Sequence, residues 1–186
     1  MLFRSDRLYS ERADSPRRRS AQTALWRIAS GLARMLSPIL AFTSDEAWEH
    51  LPGREHESVH LATWNPSADA MGEEERATWK ALLATRAQAL PELEKARQAK
   101  IIGKALEATL SLVLEPAAHG ILSRRQGELM ELLSVSGIHV AEGERFGVVV
   151  EPASGAKCER CWRRDAEVGR SPQHPGLCPR CVVAVA

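Results

Sequence analysis

Residues 157–185 read KCERCWRRDAEVGRSPQHPGLCPRCVVAV and hold all four cysteines of the chain. Cys158 and Cys161 form one Cys-x-x-Cys pair, Cys178 and Cys181 a second, and sixteen residues separate the pairs, a spacing that matches four-cysteine zinc sites. The physical reason is local. Two thiolates three residues apart reach two corners of a tetrahedron about 2.3 Å from zinc, and the turn between them leaves backbone N–H groups free to hydrogen-bond the sulfurs. Four protein ligands leave no open position for water or substrate. The sequence therefore predicts one structural zinc ion on Cys158, Cys161, Cys178 and Cys181 that takes no part in chemistry.

Three other readings compete. Two disulfides would use the same residues, but the lack of a signal-peptide pattern favours a reducing compartment, where cysteines persist as metal thiolates. His174, four residues before Cys178, offers either a substitute ligand or a loop residue near the metal. Thioredoxin-like chemistry asks for a single Cys-x-x-Cys at a helix start after a strand, and two matched pairs count against it.

The 186 residues suffice for one domain or two small ones. Apolar and charged fractions of 44% and 26% are those of a folded protein. No apolar run approaches the roughly 20 residues that span a bilayer, so the expectation is a cytoplasmic protein with no membrane partner. The net charge of +1 is unevenly laid out: +5 over residues 1–34, −7 over 35–156 and +3 over 157–186. Two basic ends suit a polyanion held where its phosphates pass. Solvated surface charge explains the same counts.

Met1–Ser5 shows neither a cap nor a signal pattern. Ser15-Pro16 opens a helix, with Ser15 as cap and Pro16 in the first turn. Ala21, Ala24, Leu25, Ile28, Leu32, Met35 and Leu36 then recur at helical spacing and predict one buried stripe. Arg19, Thr23, Arg27, Ser30 and Arg34 share another face and, with Arg17 and Arg18, predict a basic ridge. Pro38 breaks or kinks that helix. Thr43 and Glu46 fit a capping box for a short second helix that begins near Ser44 and stops before Pro52-Gly53, with Trp48 read as core. A long connection with Pro52, Gly53, Pro66 and Gly72 follows, in which Ser58–Leu61 reads as a short extended piece and His56 and His60 as loop histidines. Glu73-Glu74-Glu75 opens a long helix with an apolar stripe at Trp79, Leu82, Leu83, Leu90 and Leu93, kinked or restarted at Pro91. Leu106–Glu115 reads as a strand, Pro116–Leu133 as one helix, and Val135–Val140 with Phe146–Glu151 as a strand pair around Gly143. The expected fold is mainly α: a helical bundle over 1–102, a small α+β module over 103–152, and a zinc finger over 153–186.

Five stretches in order, ADSPRRRSAQTAL (13–25), LSPILAFTSDEAWEHLPG (36–53), SVHLATWN (58–65), LEKARQAKIIGKALEATLSL (93–112) and the cysteine tail, closely resemble the C-terminal part of bacterial isoleucyl-tRNA synthetases. The resemblance implies the C-terminal part of a class I anticodon-binding bundle, a mixed module, and a zinc tail that holds the anticodon stem-loop of isoleucine tRNA. It also implies a nucleotide-binding Rossmann domain and an editing domain before Met1 as partners, ATP as a ligand of the full-length enzyme alone, a monomer, no aminoacyl-adenylate formation by this chain itself, and a few residues beyond the terminal Val-rich run.

On that reading the chain's task is positioning. Loop bases splay out and stack on aromatic or guanidinium planes while Arg and Lys hold phosphates. Trp162 is the first candidate platform, with cover for the zinc site as its other role. Arg17, Arg18, Arg19 and Arg27 on the first helix, and Lys157, Arg160, Arg163 and Arg164 on the finger, are candidate tRNA contacts or solvated charges. Two rival classes remain: a DNA-lesion glycosylase, whose zinc finger is related to this tail but which needs an N-terminal catalytic proline, and a free-standing zinc module that binds a protein.

Overall fold

The computed structural model describes residues 7–64 and 71–186, so the expectations for Met1–Ser5 and Pro66 lie outside the described residues. The chain divides into two compact units, residues 13–70 and residues 1–12 with 71–186. In the first, helix α1 (Pro16–Leu36) starts with Pro16 in its first turn, and Ser15 accepts through its backbone carbonyl from Arg19 and not through its side chain. It stops before Pro38, with Leu36 accepting from Ile39 and Leu40. Helix α2 (Ala41–Glu49) begins earlier than its capping-box pattern predicts. The backbone bond from Ser44 to Leu40 continues the turn after α1, which leaves Thr43 inside the helix. Ser58–Leu61 is also different from expectation: Val59–Leu61 is a single 3₁₀ turn. Asp45 fixes it, accepting from the Ser58 hydroxyl at 2.7 Å and the Val59 N–H at 2.9 Å.

The stripe of α1 expected to be buried is not. Ile28, Leu32 and Met35 are 48%, 45% and 51% exposed, and the buried residues of the helix are Ser30 and Ala33. The core of this unit is Ala33, Trp48 and Val59, with Leu51 and Ala62 against them. One short helix and one turn cannot cover both flanks of a 21-residue helix. The flank they cover carries Arg34, which finds in Trp48 a flat partner for its guanidinium.

In the second unit, helix α3 (Glu73–Gln98) runs as one element through Pro91. Its buried face is Thr78, Leu82, Thr85, Ala89, Leu93 and Ala96, positions one or two turns apart, while Leu83 lies 53% exposed. This face shares one core with strand β1 (Ala108–Leu114), whose alternate residues Ala108, Leu110, Leu112 and Leu114 are buried. Helix α3, assigned by sequence to the bundle, thus shares the core of the α+β module.

Residues 116–133 form two helices where one was expected, α4 (Pro116–Leu122) and α5 (Gln126–Leu133). The crossover must return the chain to the start of a strand beside the seven-residue β1. A single 18-residue helix of about 27 Å would overshoot that strand, about 23 Å long. The expected strand pair is likewise absent. Strand β2 (Gly137–Glu142) runs parallel to β1 on one side and β3 (Gly147–Pro152) antiparallel on the other, giving the order β2-β1-β3. The loop between them crosses the end of β1 at Gly143, whose N–H donates to Leu114 and where an added Cβ would lie 2.4 Å from Val113 Cγ1. The tail follows as a β4 (Ala156–Lys157) and β5 (Arg164–Asp165) ribbon and helix α6 (Pro179–Val185). Ser136 ties it to the sheet by donating to the Leu106 carbonyl and accepting from the Arg164 N–H.

Candidate metal centre and nucleic-acid interface

The first knuckle is the turn between β4 and β5. Cys158 N–H donates to the Arg163 carbonyl and Trp162 N–H to the Cys158 carbonyl, both at 2.9 Å, so Cys158 and Cys161 project from one side of a closed turn. The second knuckle is the start of α6, where Cys178 is the cap residue and Pro179 sits in the first turn. The two are joined by Glu159 N–H to the Gly176 carbonyl and by Cys178 N–H to the Cys158 sulfur at 3.4 Å. Gly155 makes the entry possible. Its φ is +87°, and an added Cβ would stand 2.4 Å from the Asp165 backbone.

All four sulfurs are buried and lie within 4.8 Å of one another. Cys161 Sγ and Cys178 Sγ are 3.7 Å apart, close to the roughly 3.75 Å edge of a tetrahedron with 2.3 Å zinc–sulfur bonds. The donor set and its spacing fit zinc. His174 is outside the group, its N–H closing a turn onto Ser171. Burial opposes ionisation of Cys158, but N–H groups of Cys161, Cys178 and Arg160 donate to its sulfur and bring the thiol down to about 6. Burial, reinforced by negative charge on Cys161, pushes the Cys178 and Cys181 thiols up. Four thiolates in so small a volume need a cation to offset their repulsion.

The structure gathers five of the basic and aromatic candidates on the first knuckle. Lys157 and Trp162 are exposed, and Arg160, Arg163 and Arg164 half-buried. Trp162 is 56% exposed, whereas Val168 and Leu177 are partly buried against the cysteines. The Lys157 ammonium lies 5.5 Å from its ring centroid. Arg164 donates to the Gly155 carbonyl and lines a polar cleft of about 250 Å³ with Ser136, His139 and Ser154, a feature of chain packing that no local pattern signals. Arg160 turns to Tyr9 and Ser10, residues sequence reading passed over because the contact spans about 150 positions. Arg17, Arg18, Arg19 and Arg27 lie on α1 in the other unit, all exposed except the half-buried Arg18. The ridge does not continue to Arg34, which is turned onto Trp48.

Residues 2–113 match the family model of the anticodon-binding domain of tRNA ligase, and residues 155–183 match the zinc finger found in FPG and IleRS. The chain belongs to the family of tRNA-ligase anticodon-binding domains. Its relatives include the isoleucine–tRNA ligases of Geobacter sulfurreducens (37% identical, 95% of this chain and 20% of the relative), Shouchella clausii (38%, 100% and 21%) and Geobacillus kaustophilus (41%, 95% and 21%). The chain spans about a fifth of their length, in their C-terminal region. For this anticodon-binding chain the finger match and the sulfur cluster agree on one structural zinc ion. No described helix is long and apolar enough to cross a membrane.

Proposed function

We propose that this chain is the tRNA-holding C-terminal portion of an isoleucine–tRNA ligase, and that it positions the anticodon stem-loop of isoleucine tRNA while ATP-dependent aminoacylation takes place on an N-terminal catalytic domain. The single observation that carries the reading is Trp162. Its φ of +65° is left-handed, a conformation that disfavours a bulky residue and suits glycine. The turn after the second cysteine of the knuckle imposes this backbone, yet the position holds an exposed tryptophan. A strained, solvent-facing indole beside Lys157 and Arg163 has the form of a stacking platform for an unpaired base.

The residues divide the work. Trp162 stacks a base, Lys157 and Arg163 hold nearby phosphate, and Arg17, Arg19 and Arg27 add phosphate contacts from α1. Zinc closes the knuckle and supplies no step in the reaction, since its four protein ligands fill its shell. Binding energy gathered at the anticodon is used at a distance, by orienting the acceptor end for attack. The exposed stripe at Leu25, Ile28, Leu32 and Met35 is a seat for helices that precede this chain in the same polypeptide. The reading includes a cytoplasmic, monomeric enzyme.

The test is a binding titration of the zinc-loaded chain against isoleucine tRNA, a tRNA with an altered anticodon, and lesion-containing duplex DNA, over a salt series. The expected result is a preference for isoleucine tRNA that collapses when the anticodon changes. Equal, steeply salt-dependent binding to all three refutes it, and a preference for the duplex supports the glycosylase-like reading of the finger.

A further inference from the structure

Arg160 lies between the two cysteines of the first knuckle, and it touches ligands of both knuckles. Its backbone N–H donates to the Cys158 sulfur, and its guanidinium Nη1 lies 3.8 Å from the Cys181 sulfur. The same guanidinium reaches out of the finger. Nη1 donates to the Ser10 carbonyl and Nη2 to the Tyr9 carbonyl at 3.1 Å. Residues 7–9 are a helical turn that ends at Ser10. Carbonyls at such an end lack intrahelical donors and carry partial negative charge, so a cation with several N–H groups is their natural partner. Ser10 is buried, which makes an unsatisfied carbonyl there costly.

Neighbouring ion pairs extend the attachment. Arg180 Nη1, on α6, lies 3.9 Å from Glu11 Oε1. On the other side of the segment, Arg7 donates through Nε and Nη2 to the buried Glu131 on α5 at 2.9 and 2.8 Å. One end of segment 7–11 is therefore held by the α+β module whatever the state of the finger. The other end is held by two arginines whose placement depends on the knuckles being drawn together. Five residues further on, α1 begins at Pro16 with its arginines.

We propose that Arg160 is a positioning residue that couples zinc occupancy to the attachment of segment 7–11, so that the finger fixes the polypeptide leading into the basic helix. The assignment removes Arg160 from the tRNA contacts and does not depend on which nucleic acid the chain binds. Arginine suits the task because its planar fork serves two carbonyls and a sulfur at once, which a lysine ammonium on one flexible stem does not.

Hydrogen–deuterium exchange of a peptide covering residues 7–13, together with tryptic cleavage at Arg12–Ala13, tests this without nucleic acid. Loss of charge-assisted bonds at the Tyr9 and Ser10 carbonyls should speed exchange about tenfold. Zinc-loaded Arg160→Ala should retain one zinc per chain and show most of the acceleration that chelation gives the wild-type chain, and chelation of the variant should add only the smaller part held by the Arg180–Glu11 pair. Arg160→Lys should fall between. The proposal is overturned if zinc-loaded Arg160→Ala exchanges like wild type, if chelation accelerates the variant as much as the wild type, or if the variant loses its zinc, which would make Arg160 part of the finger's own fold. A failure here leaves the tRNA titration unaffected, and the reverse also holds.

Discussion

The guanidinium of Arg34 lies 5.0 Å from the centroid of the Trp48 ring, which is the largest side chain in the core of the unit formed by residues 13–70. Trp48 is 1% exposed and its Nε1 donates to the His56 carbonyl at 2.9 Å, so the indole joins α1, α2 and the loop after them. Arg34 also lies 4.0 Å from Glu55, itself in that loop.

With so few buried residues, the unit should be sensitive to loss of this one ring. Trp48→Ala should cost about 3–5 kcal/mol, enough to unfold the unit. Trp48→Phe should lose mainly the bond to His56, about 1–3 kcal/mol. Arg34→Ala should cost about 1–2 kcal/mol. Thermal melts followed by circular dichroism check the order. A melt of Trp48→Ala like that of wild type would show that the unit is held by something else.

Asp45 gives the same unit a defined acid response. The Ser58 hydroxyl, and next the Val59 N–H, hold its carboxyl below the usual carboxylate range. A depressed native value means that the unfolded state binds more protons just below pH 4, so stability rises with pH across that window. The contribution is fully present above the unfolded value of about 3.9 and is lost as pH falls through the native value. Asp45→Asn should flatten this limb of the stability profile, as read by denaturant midpoints between pH 2 and pH 6. An unchanged acid limb in the variant would assign the response to other carboxylates.

How far such features could be read from sequence depends on how local they are. The zinc ligands were legible because three-residue spacing within each knuckle fixes the geometry by itself. A helical part followed by a strand-containing part and a cysteine tail was legible from the break at Pro38, the strand read over Leu106–Glu115 and the paired cysteines, but not that α3 shares its core with the strands. Periodicity placed Leu25, Ile28, Leu32 and Met35 on one face but contains nothing about whether a neighbour covers it. The alternation in β2 and β3 likewise does not name a partner, and both strands pair with β1 and not with each other. The small buried residues of α3, Thr78, Thr85, Ala89 and Ala96, carry too little hydrophobic signal to mark a helix–sheet contact. The contact of Arg160 with Tyr9 and Ser10 has no local trace at all.

Two glycines in the tail separate backbone conformation from space. Gly169 has a φ of +99° but open surroundings, with the Pro175 carbonyl 3.9 Å from an added Cβ. Gly155 has both a positive φ and a backbone collision. Gly169→Ala should therefore cost about 1–2 kcal/mol through conformation alone. Gly155→Ala should cost more and should separate β4 from β5, which would be read as faster zinc release to a chromophoric chelator. Equal release rates for the two variants would mean that the β4–β5 ribbon is not what closes the first knuckle.

Trp162 permits a test in which stability and binding move in opposite directions. Replacing it by glycine removes the ring and relieves the left-handed backbone, so Trp162→Gly should leave the finger as stable as wild type or more stable by up to about 1–2 kcal/mol. Trp162→Ala removes the ring and keeps the strain. If the indole is a platform, both variants should weaken binding of isoleucine tRNA by about 10-fold or more, since stacking of one base is worth about 1–3 kcal/mol. Trp162→Phe should recover part of it. If the indole instead protects the metal centre, both truncations should speed zinc loss while tRNA affinity stays unchanged for the zinc-loaded chain. Chelator competition and tRNA titration on the same three variants decide between the two roles, because only a platform predicts a glycine variant with a sounder finger and weaker binding.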